Sequence, residues 1–159
     1  MDIQDPKAAI RSIINAAHTA FLVTHNHATG PHGRPMATAQ VGEAMHELWF
    51  ASQRDTLKIE ELGDDDHVFL GYTVHTKWAT LTGHARVVDD RAKAREVWSD
   101  VWKNWFSGPD DPNLVLIQVI PEQGEYWDGG SKVVQMIKFA TTALTGVRTS
   151  PGAHAAVKL

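Results

Sequence analysis

Residues 48–62 have the sequence LWFASQRDTLKIEEL, in which a strand-like pattern changes within a few residues to a helix-like one. The bulky apolar run at 48–50 is typical of a buried β-strand. Leu57, Ile59 and Leu62 have spacings that suit one side of a short helix. We therefore predict a strand that leads directly into a helix, with polar side chains at the junction.

This junction is a candidate anion site. Ser52, Thr56 and Lys58 stand where unpaired backbone N–H groups and the helix dipole favour negative charge, so a phosphate group would fit there. The alternative is that Ser52 and Thr56 only cap the helix and that Lys58 is solvated. Arg34 is a second candidate, because a guanidinium group binds phosphate through paired hydrogen bonds. A lone arginine at the start of a strand is, however, often a surface residue.

The rest of the chain combines short strand patterns with helical ones. Helices are predicted at 6–17, 91–102 and 132–144, in addition to the one that follows the junction. A parallel sheet would need a helix after nearly every strand, whereas antiparallel strands need only short turns such as 42–46. We therefore predict a mainly β fold with peripheral helices, a six-stranded antiparallel barrel. The predicted strands are 19–24, 34–41, 47–52, 67–73, 78–88 and 113–120.

Two irregularities are expected within these strands. Gly83 in the fifth strand predicts a β-bulge. Pro121 and Gly124 bound a segment that breaks the sixth strand, which resumes at 125–128.

The composition indicates one soluble domain. Fifteen basic and nineteen acidic residues give a formal net charge of −4, so no global field attracts nucleic acid or an anionic membrane. The absence of cysteine excludes disulfides and thiolate sites. No run approaches the roughly 20 apolar residues that cross a bilayer. We expect an unexported, cytoplasmic protein with a single domain at 1–144 and a flexible tail at 145–159.

Histidine and tryptophan are frequent, with nine and six residues respectively. The pair His25-x-His27 has no acidic or histidine partner at a recognised offset, so we predict no metal site. His84, within the fifth strand, is expected to be a packed or surface histidine. Trp105 and Trp127 lie among Gly, Pro and Asp residues, where internal packing explains a large aromatic side chain poorly. These two residues therefore predict an interface or the edge of a ligand.

Taken in order, several motifs resemble those of a known family. They are GRPM at 33–36, LWFAS at 48–52 together with Lys58, GHA at 83–85, WFSGPDDP at 105–112 and EYWD at 125–128. The chain resembles, over residues 5–143, the general stress protein branch of the pyridoxamine 5′-phosphate oxidase-like FMN-binding split-barrel proteins. The resemblance implies a six-stranded split β-barrel that forms a homodimer, with FMN in two equivalent clefts between the subunits.

The resemblance also implies roles for individual residues. Phosphate or ribityl contacts are expected from Arg34, Ser52, Thr56 and Lys58. The flavin ring would be lined by Met36, Trp49, Phe50 and Ala51. The expected cofactor-binding set is completed by Pro35, Gln53 and Leu57, and by Trp105 and Trp127 from the partner subunit.

The resemblance implies a flavin-dependent oxidoreductase, and no residue is an obvious general base. The protein would supply orientation and electrostatics to the flavin. The basic C-terminal motif of true pyridoxamine 5′-phosphate oxidases is not apparent, so vitamin B6 oxidation is not predicted. The alternatives are a non-catalytic flavin carrier or sensor, and a relative that binds deazaflavin or haem.

Overall fold

The structure is a computed structural model that describes residues 5–148 and 152–159, with the backbone alone at 132–135 and 137. Across these residues the chain forms seven strands and four α-helices. The strands are β1 (Thr19–Asn26), β2 (Gly30–Val41), β3 (Leu48–Gln53), β4 (His67–Val74), β5 (Lys77–Val88), β6 (Leu114–Asp128) and β7 (Ala153–Lys158). The helices are α1 (Pro6–Ala17), α2 (Leu57–Asp64), α3 (Arg91–Val97) and α4 (Lys132–Thr145), with 3₁₀ helices at Glu43–Met45 and Asp100–Asn104.

The first six strands form an antiparallel barrel. They follow the order β3-β2-β1-β4-β5-β6, and pairing between β3 and β6 closes the circle. β6 is long enough to pair with β5 along most of its length, with β3 through its first half and with β7 through its second half. The predicted class, a mainly β barrel with peripheral helices, is therefore confirmed.

The barrel interior is filled by side chains from alternate strand positions. In β3, Leu48 and Phe50 are fully buried among residues from β1, β4, β5 and β6, because successive side chains of a strand point to opposite faces. α1 packs against β4, β5 and β6. Its residues Ile10, Ile13 and Ile14 recur at three and four and are all buried, which is the pattern of an amphipathic helix on a core.

A second, smaller core lies outside the barrel. Trp49 and Leu116 project outward from β3 and β6 and pack with Val97 of α3 and with Trp102 and Phe106 beyond it. This core holds α3 and the following 3₁₀ helix against β3. The predicted single helix at 91–102 is interrupted, since Trp98 has extended backbone angles (φ −52°, ψ 137°). The interruption turns the aromatic end of that segment over β3.

The C-terminal region differs from expectation. We predict no structured element beyond residue 145, but Ala153–Lys158 form β7 against the second half of β6. His154 also stacks on Trp127, with ring centroids 5.0 Å apart. Short alternating segments such as AHAAVK are weak local signals, so the open edge of β6 decides their conformation. The predicted break at 121–124 is likewise wrong, because β6 runs unbroken from Leu114 to Asp128.

A register irregularity lies at the predicted position, Gly83, but its extra residue is Glu122 of β6 and not a residue of the fifth strand. The register between β5 and β6 shifts between Thr82 and Gly83. A Cβ atom on Gly83 would clash with the backbone carbonyl oxygen of Ile120, so this close approach of two strands requires glycine.

α4 leaves an apolar surface exposed. Met136, Phe139 and Leu144 are each more than two thirds exposed. None of the helices among the described residues is long and apolar enough to span a membrane.

Candidate functional site

The candidate site is an opening between β2 and β3. The two strands pair only through Thr38↔Phe50, Gln40↔Trp49 and Val41↔Leu48. Beyond Thr38, β2 continues in pairing with β1, and beyond Phe50, β3 continues in pairing with β6. The strands therefore separate, and the wall of the barrel is split at this point.

A pocket of about 420 Å³ occupies this split. The residues that line it come from β2, from β3, from the start of α2 and from the segment around the second 3₁₀ helix. They are Pro35, Met36, Ala37, Ala51, Ser52, Gln53, Lys58, Val101, Trp102, Asn104, Trp105 and Phe106. The segment at 101–106 thus contributes the aromatic side chains, and β3 and α2 contribute a hydroxyl, an amide and an ammonium group.

The hydroxyl groups at the strand-to-helix junction do not cap α2. Thr56 occupies the N-cap position of α2 but its side chain makes no capping hydrogen bond. Its Oγ1 instead donates to the backbone oxygen of Gln53 at 3.1 Å, and Ser52 Oγ donates to the same oxygen at 3.0 Å. The side-chain capping alternative therefore does not describe this junction: Ile59 N–H donates to the backbone oxygen of Thr56 at 3.0 Å, and the Thr56 side chain caps no first-turn N–H group.

Lys58 carries a charge in a partly desolvated position. Burial lowers the pKa of its ammonium group, and the positive charge of nearby Arg34 lowers that pKa further. Across residues 5–148 and 152–159, no carboxylate lies within ion-pair distance of Lys58. Both causes destabilise the protonated amine, so an anion in the pocket would stabilise it.

Arg34 is held in a different way, by a buried carboxylate. Its Nη2 lies 2.9 Å from Glu61 Oε2 and its Nη1 donates to Thr24 Oγ1 at 2.5 Å. Only 18% of the Arg34 side chain and 2% of the Glu61 side chain are exposed. Thr24 also donates to Glu61, and His32 and Asn26 contact its other oxygen at 3.2 and 3.3 Å.

This network sets the protonation of Glu61. Burial by itself would raise the pKa of the carboxyl group, but hydrogen bonds from Thr24, Arg34, His32 and Asn26 outweigh it and lower the pKa to about 2. Glu61 is thus ionised in neutral solution, and its charge neutralises that of Arg34. Arg34 does not line the pocket, so the structure places it beside the site and not in its wall.

Seven of the thirteen predicted cofactor-binding residues line the pocket together. These are Pro35, Met36, Ala51, Ser52, Gln53, Lys58 and Trp105. The other six lie elsewhere. Trp49 and Phe50 belong to the outer and inner cores, Thr56 and Leu57 lie at the start of α2, and Arg34 pairs with Glu61. Trp127 stacks on His154.

Trp105 and Trp127 have different surroundings in the structure. We expect both to reach the site from a partner subunit, yet Trp105 lines the same pocket as Ser52 and Lys58 of its own chain and is 62% exposed. Trp127, in β6, pairs across the strands with Trp78 of β5. Trp105 therefore forms part of the pocket rim without any second chain.

Several lining residues were not predicted. Trp102, Phe106 and Asn104 come from the segment after α3. Trp102 lies at the end of the predicted helix at 91–102 and Phe106 lies in the motif at 105–112, and neither pattern shows that the two side chains meet β3. The fold brings both over β3 through the turn at Trp98.

Comparison with known proteins agrees with this architecture. A family model described as pyridoxamine 5′-phosphate oxidase like matches residues 5–150. The chain belongs to the pyridoxamine 5′-phosphate oxidase-like family. This confirms the family predicted from the sequence motifs.

Relatives within this family include general stress proteins. The chain is 26% identical to general stress protein 26 of Bacillus subtilis over 137 residues, which cover 83% of this chain and 95% of the relative. The crystal structure of general stress protein 26 from Bacillus anthracis is similar with a TM-score of 0.67, at 25% identity, covering 76% of this chain and 92% of that one.

A second similar structure extends over nearly the whole chain. It is a pyridoxamine 5′-phosphate oxidase-related, FMN binding protein from Nostoc punctiforme, with a TM-score of 0.65 and 13% identity, covering 99% of this chain and 98% of that one. At this identity the likeness shows the fold alone.

Proposed function

We propose that this protein binds FMN in the split between β2 and β3 and acts as a flavin-dependent oxidoreductase in a homodimer. The observation that carries the proposal is a pocket lined both by aromatic side chains and by a partly desolvated Lys58 at the start of α2. FMN has a matching pair of features, a flat aromatic ring system and a terminal phosphate.

The pocket residues fit such a group in size and chemistry. A volume of about 420 Å³ falls within the roughly 300–1,000 Å³ of typical ligand pockets. Lys58 would neutralise phosphate charge beside the helix N-terminus, and Ser52 and Gln53 would contact the phosphate or the ribityl chain. The FMN-binding relative from Nostoc punctiforme shares the fold, which supports the choice of cofactor.

The chain's own residues would bind and orient the cofactor. Met36, Trp105 and Phe106 offer apolar surface for the flavin ring, and Trp102 excludes water behind it. When bound, a flavin supplies the capacity to accept and donate hydride or single electrons. The protein's contribution is then position, charge and exclusion of solvent.

A homodimer is proposed because apolar residues remain exposed near the pocket and on α4. Val101 and Trp105 on the pocket rim are both more than 60% exposed, and Met136 and Phe139 more than 70%. Large exposed apolar surface commonly marks an interaction site. A second copy of the chain would cover it and would close the open side of the pocket.

A non-catalytic flavin carrier or sensor is the second candidate. The polar pocket residues are Ser52, Gln53, Lys58 and Asn104. None of the described lining residues is a histidine or a carboxylate, so the pocket offers no general acid or base of ordinary pKa. Binding without turnover is compatible with that composition.

The deciding experiment begins with the visible spectrum of the purified, untagged protein. Oxidised-flavin bands, or their appearance with fluorescence quenching when FMN is titrated into colourless protein, support the proposal. A protein that neither carries nor takes up FMN would overturn both flavin candidates. Absorption bands of haem or deazaflavin would instead identify that group as the cofactor.

Turnover then separates the enzyme from the carrier. Rapid mixing of the FMN-loaded protein with NADH or NADPH without oxygen is expected to bleach the flavin faster than free FMN under the same conditions. Bleaching no faster than that of free FMN with either donor favours the carrier or sensor. Light scattering during size-exclusion chromatography is expected to give twice the chain mass.

A further inference from the structure

Three histidines lie in a row across one end of the barrel sheet, away from the pocket. His67 of β4 and His84 of β5 are direct cross-strand partners, with ring centroids 4.3 Å apart. β1 pairs with β4 through Val23↔Phe69, and the same register continued by two residues brings His25 level with His67. Partners opposite each other in a sheet project to the same face, so the three imidazoles face one side.

Carboxylates surround these imidazoles. Asp66, in the connection between α2 and β4, has its Oδ1 2.9 Å from His84 Nδ1 and 3.6 Å from His67 Nδ1. Asp65 Oδ1 lies 2.9 Å from the same nitrogen of His67. Glu122 Oε1, from β6, lies 3.4 Å from His84 Nε2. Four separate parts of the chain thus contribute ligand-type atoms to one small region.

We propose that Asp66, His67 and His84 form a binding site for a divalent transition-metal ion such as Zn²⁺. One ligand atom from each of the three lies within 4.8 Å of the others. Ligand atoms that are about 2 Å from a tetrahedral zinc ion lie about 3.3 Å from one another. Small side-chain rotations therefore bring the three atoms to coordination distance, and water would complete the coordination.

The charge around the site also favours a cation. The ion pairs described for Asp65, Asp66 and Glu122 all lead to imidazoles and not to lysine or arginine. With neutral histidines, three negative charges therefore remain close together. Like charges repel one another, and a divalent metal would offset that repulsion.

A buried nitrogen of His25, the third histidine of the row, lies beside the same region. His25 Nδ1 is buried and has no hydrogen-bond partner among the described residues, although Asp65 Oδ2 lies 3.7 Å away. An adjoining cavity of about 390 Å³ is lined by His25, His67 and Glu122. A buried ring nitrogen without a partner is unusual, and the cavity gives an ion and its water ligands access to it.

The ligand types select the class of metal. Imidazole with carboxylate suits Zn²⁺, Ni²⁺, Cu²⁺ and Fe²⁺, whereas Mg²⁺ and Ca²⁺ prefer oxygen ligands alone. The site shares no residue with the pocket in the split. Its occupancy is therefore independent of whether the proposed flavin binds.

Calorimetric titration of the untagged, chelator-treated protein tests the site with ZnCl₂ and, separately, MgCl₂. One tight Zn²⁺ ion per chain is expected, with much weaker binding of Mg²⁺. His67→Gln and His84→Gln are each expected to lower the Zn²⁺ affinity at least about 100-fold, since loss of an outer-shell partner alone costs about 10–100-fold. His46→Gln removes an exposed imidazole outside the site and is the matched control, with affinity expected within twofold of wild type.

Equal Zn²⁺ affinity in wild type, His67→Gln and His84→Gln would overturn the proposal, as would Mg²⁺ binding as tight as Zn²⁺. Circular dichroism checks that each variant is folded. If a histidine variant does not fold, Asp66→Asn replaces it as the test variant, because Asp66 has an exposed side chain; it too is expected to lower the Zn²⁺ affinity. Zn²⁺ is also expected to raise the thermal midpoint of wild type and His46→Gln but not of His84→Gln.

Discussion

Two neighbouring basic residues, Arg34 and Lys58, have opposite electrostatic surroundings. Arg34 is four-fifths buried and lies 2.9 Å from the ionised Glu61, which is almost wholly buried. Lys58 faces the pocket, is partly desolvated, and has a lowered pKa because of burial and of the charge on Arg34. The sequence presents both as candidate phosphate ligands, and the structure separates them.

The difference distinguishes a charge that supports the fold from one that is available to a ligand. The Arg34–Glu61 pair joins β2 to α2 and is completed by Thr24, His32 and Asn26. It holds the start of α2 at the edge of the split. Lys58, three residues earlier in the same helix, is therefore positioned by a network to which it does not contribute.

The largest expected effect follows removal of the buried carboxylate. Glu61→Gln leaves the charge of Arg34 without a counter-charge, and we expect a loss of about 3 kcal/mol in the free energy of unfolding. This lies at the low end of the range for breaking a buried ion pair, because Arg34 is partly exposed. Urea denaturation measures it. Glu60→Gln changes an exposed neighbour and is expected to cost less than about 0.5 kcal/mol; equal losses would contradict the assigned role of the network.

The same pair predicts a pH dependence. The pKa of Glu61 is about 2 in the folded protein against an ordinary value of 4.5. A lowered carboxyl pKa stabilises the fold above the unfolded-state value and loses that contribution as the pH falls towards the folded-state value. The difference in unfolding free energy between wild type and Glu61→Gln should therefore be constant from pH 8 to about 5 and then shrink by about 1.4 kcal/mol per pH unit. A difference unchanged at pH 3.5 would argue against the assignment.

A smaller effect is expected on the ligand side. If FMN occupies the pocket, Lys58→Ala should weaken its binding by about 1–3 kcal/mol, the range for loss of a charged hydrogen bond. That corresponds to a rise in Kd of about 5- to 150-fold, measured by quenching of flavin fluorescence. Lys7→Ala, at an exposed lysine of α1, is the control. Unchanged affinity in Lys58→Ala would remove Lys58 from the phosphate site.

The smallest effect concerns the stability of the ligand-free protein. Lys58→Met removes a desolvated charge that has no carboxylate partner among the described residues, and it retains most of the apolar stem. We expect the free energy of unfolding to change by less than about 0.5 kcal/mol in urea denaturation. A loss comparable with that of Glu61→Gln would show that Lys58 supports the fold in the way Arg34 does.

Much of the barrel is predictable from local patterns. The strand at 47–52 and the helix after it follow from the change in apolar spacing between Leu48 and Leu62, and Gly83 marks the place where the register between β5 and β6 shifts. β7 is not predictable in this way, because AHAAVK has weak strand propensity and depends on the open edge of β6. The turn at Trp98 is not predictable from local sequence either, since the helical spacing of the apolar residues continues through it.

The sequence predicts about half of the residues that form the candidate site. The sequence motifs identify Met36, Ala51, Ser52 and Lys58 as pocket residues, and these do lie together. They also include Trp49 and Phe50, whose side chains belong to the two cores on opposite faces of β3. A motif marks a strand as a whole, whereas the pleat and the covering helices decide which of its side chains reach the pocket.

The sequence by itself determines the family, the main strands and the presence of basic and hydroxyl groups at a strand-to-helix junction. These features depend on residue types and short spacings, which are local. Only the tertiary structure decides that Glu61 neutralises Arg34 while Lys58 faces the pocket, and that His67 lies opposite His84. These relations join residues that are distant in the chain, and the strand register and helix packing that create them act only in the folded protein.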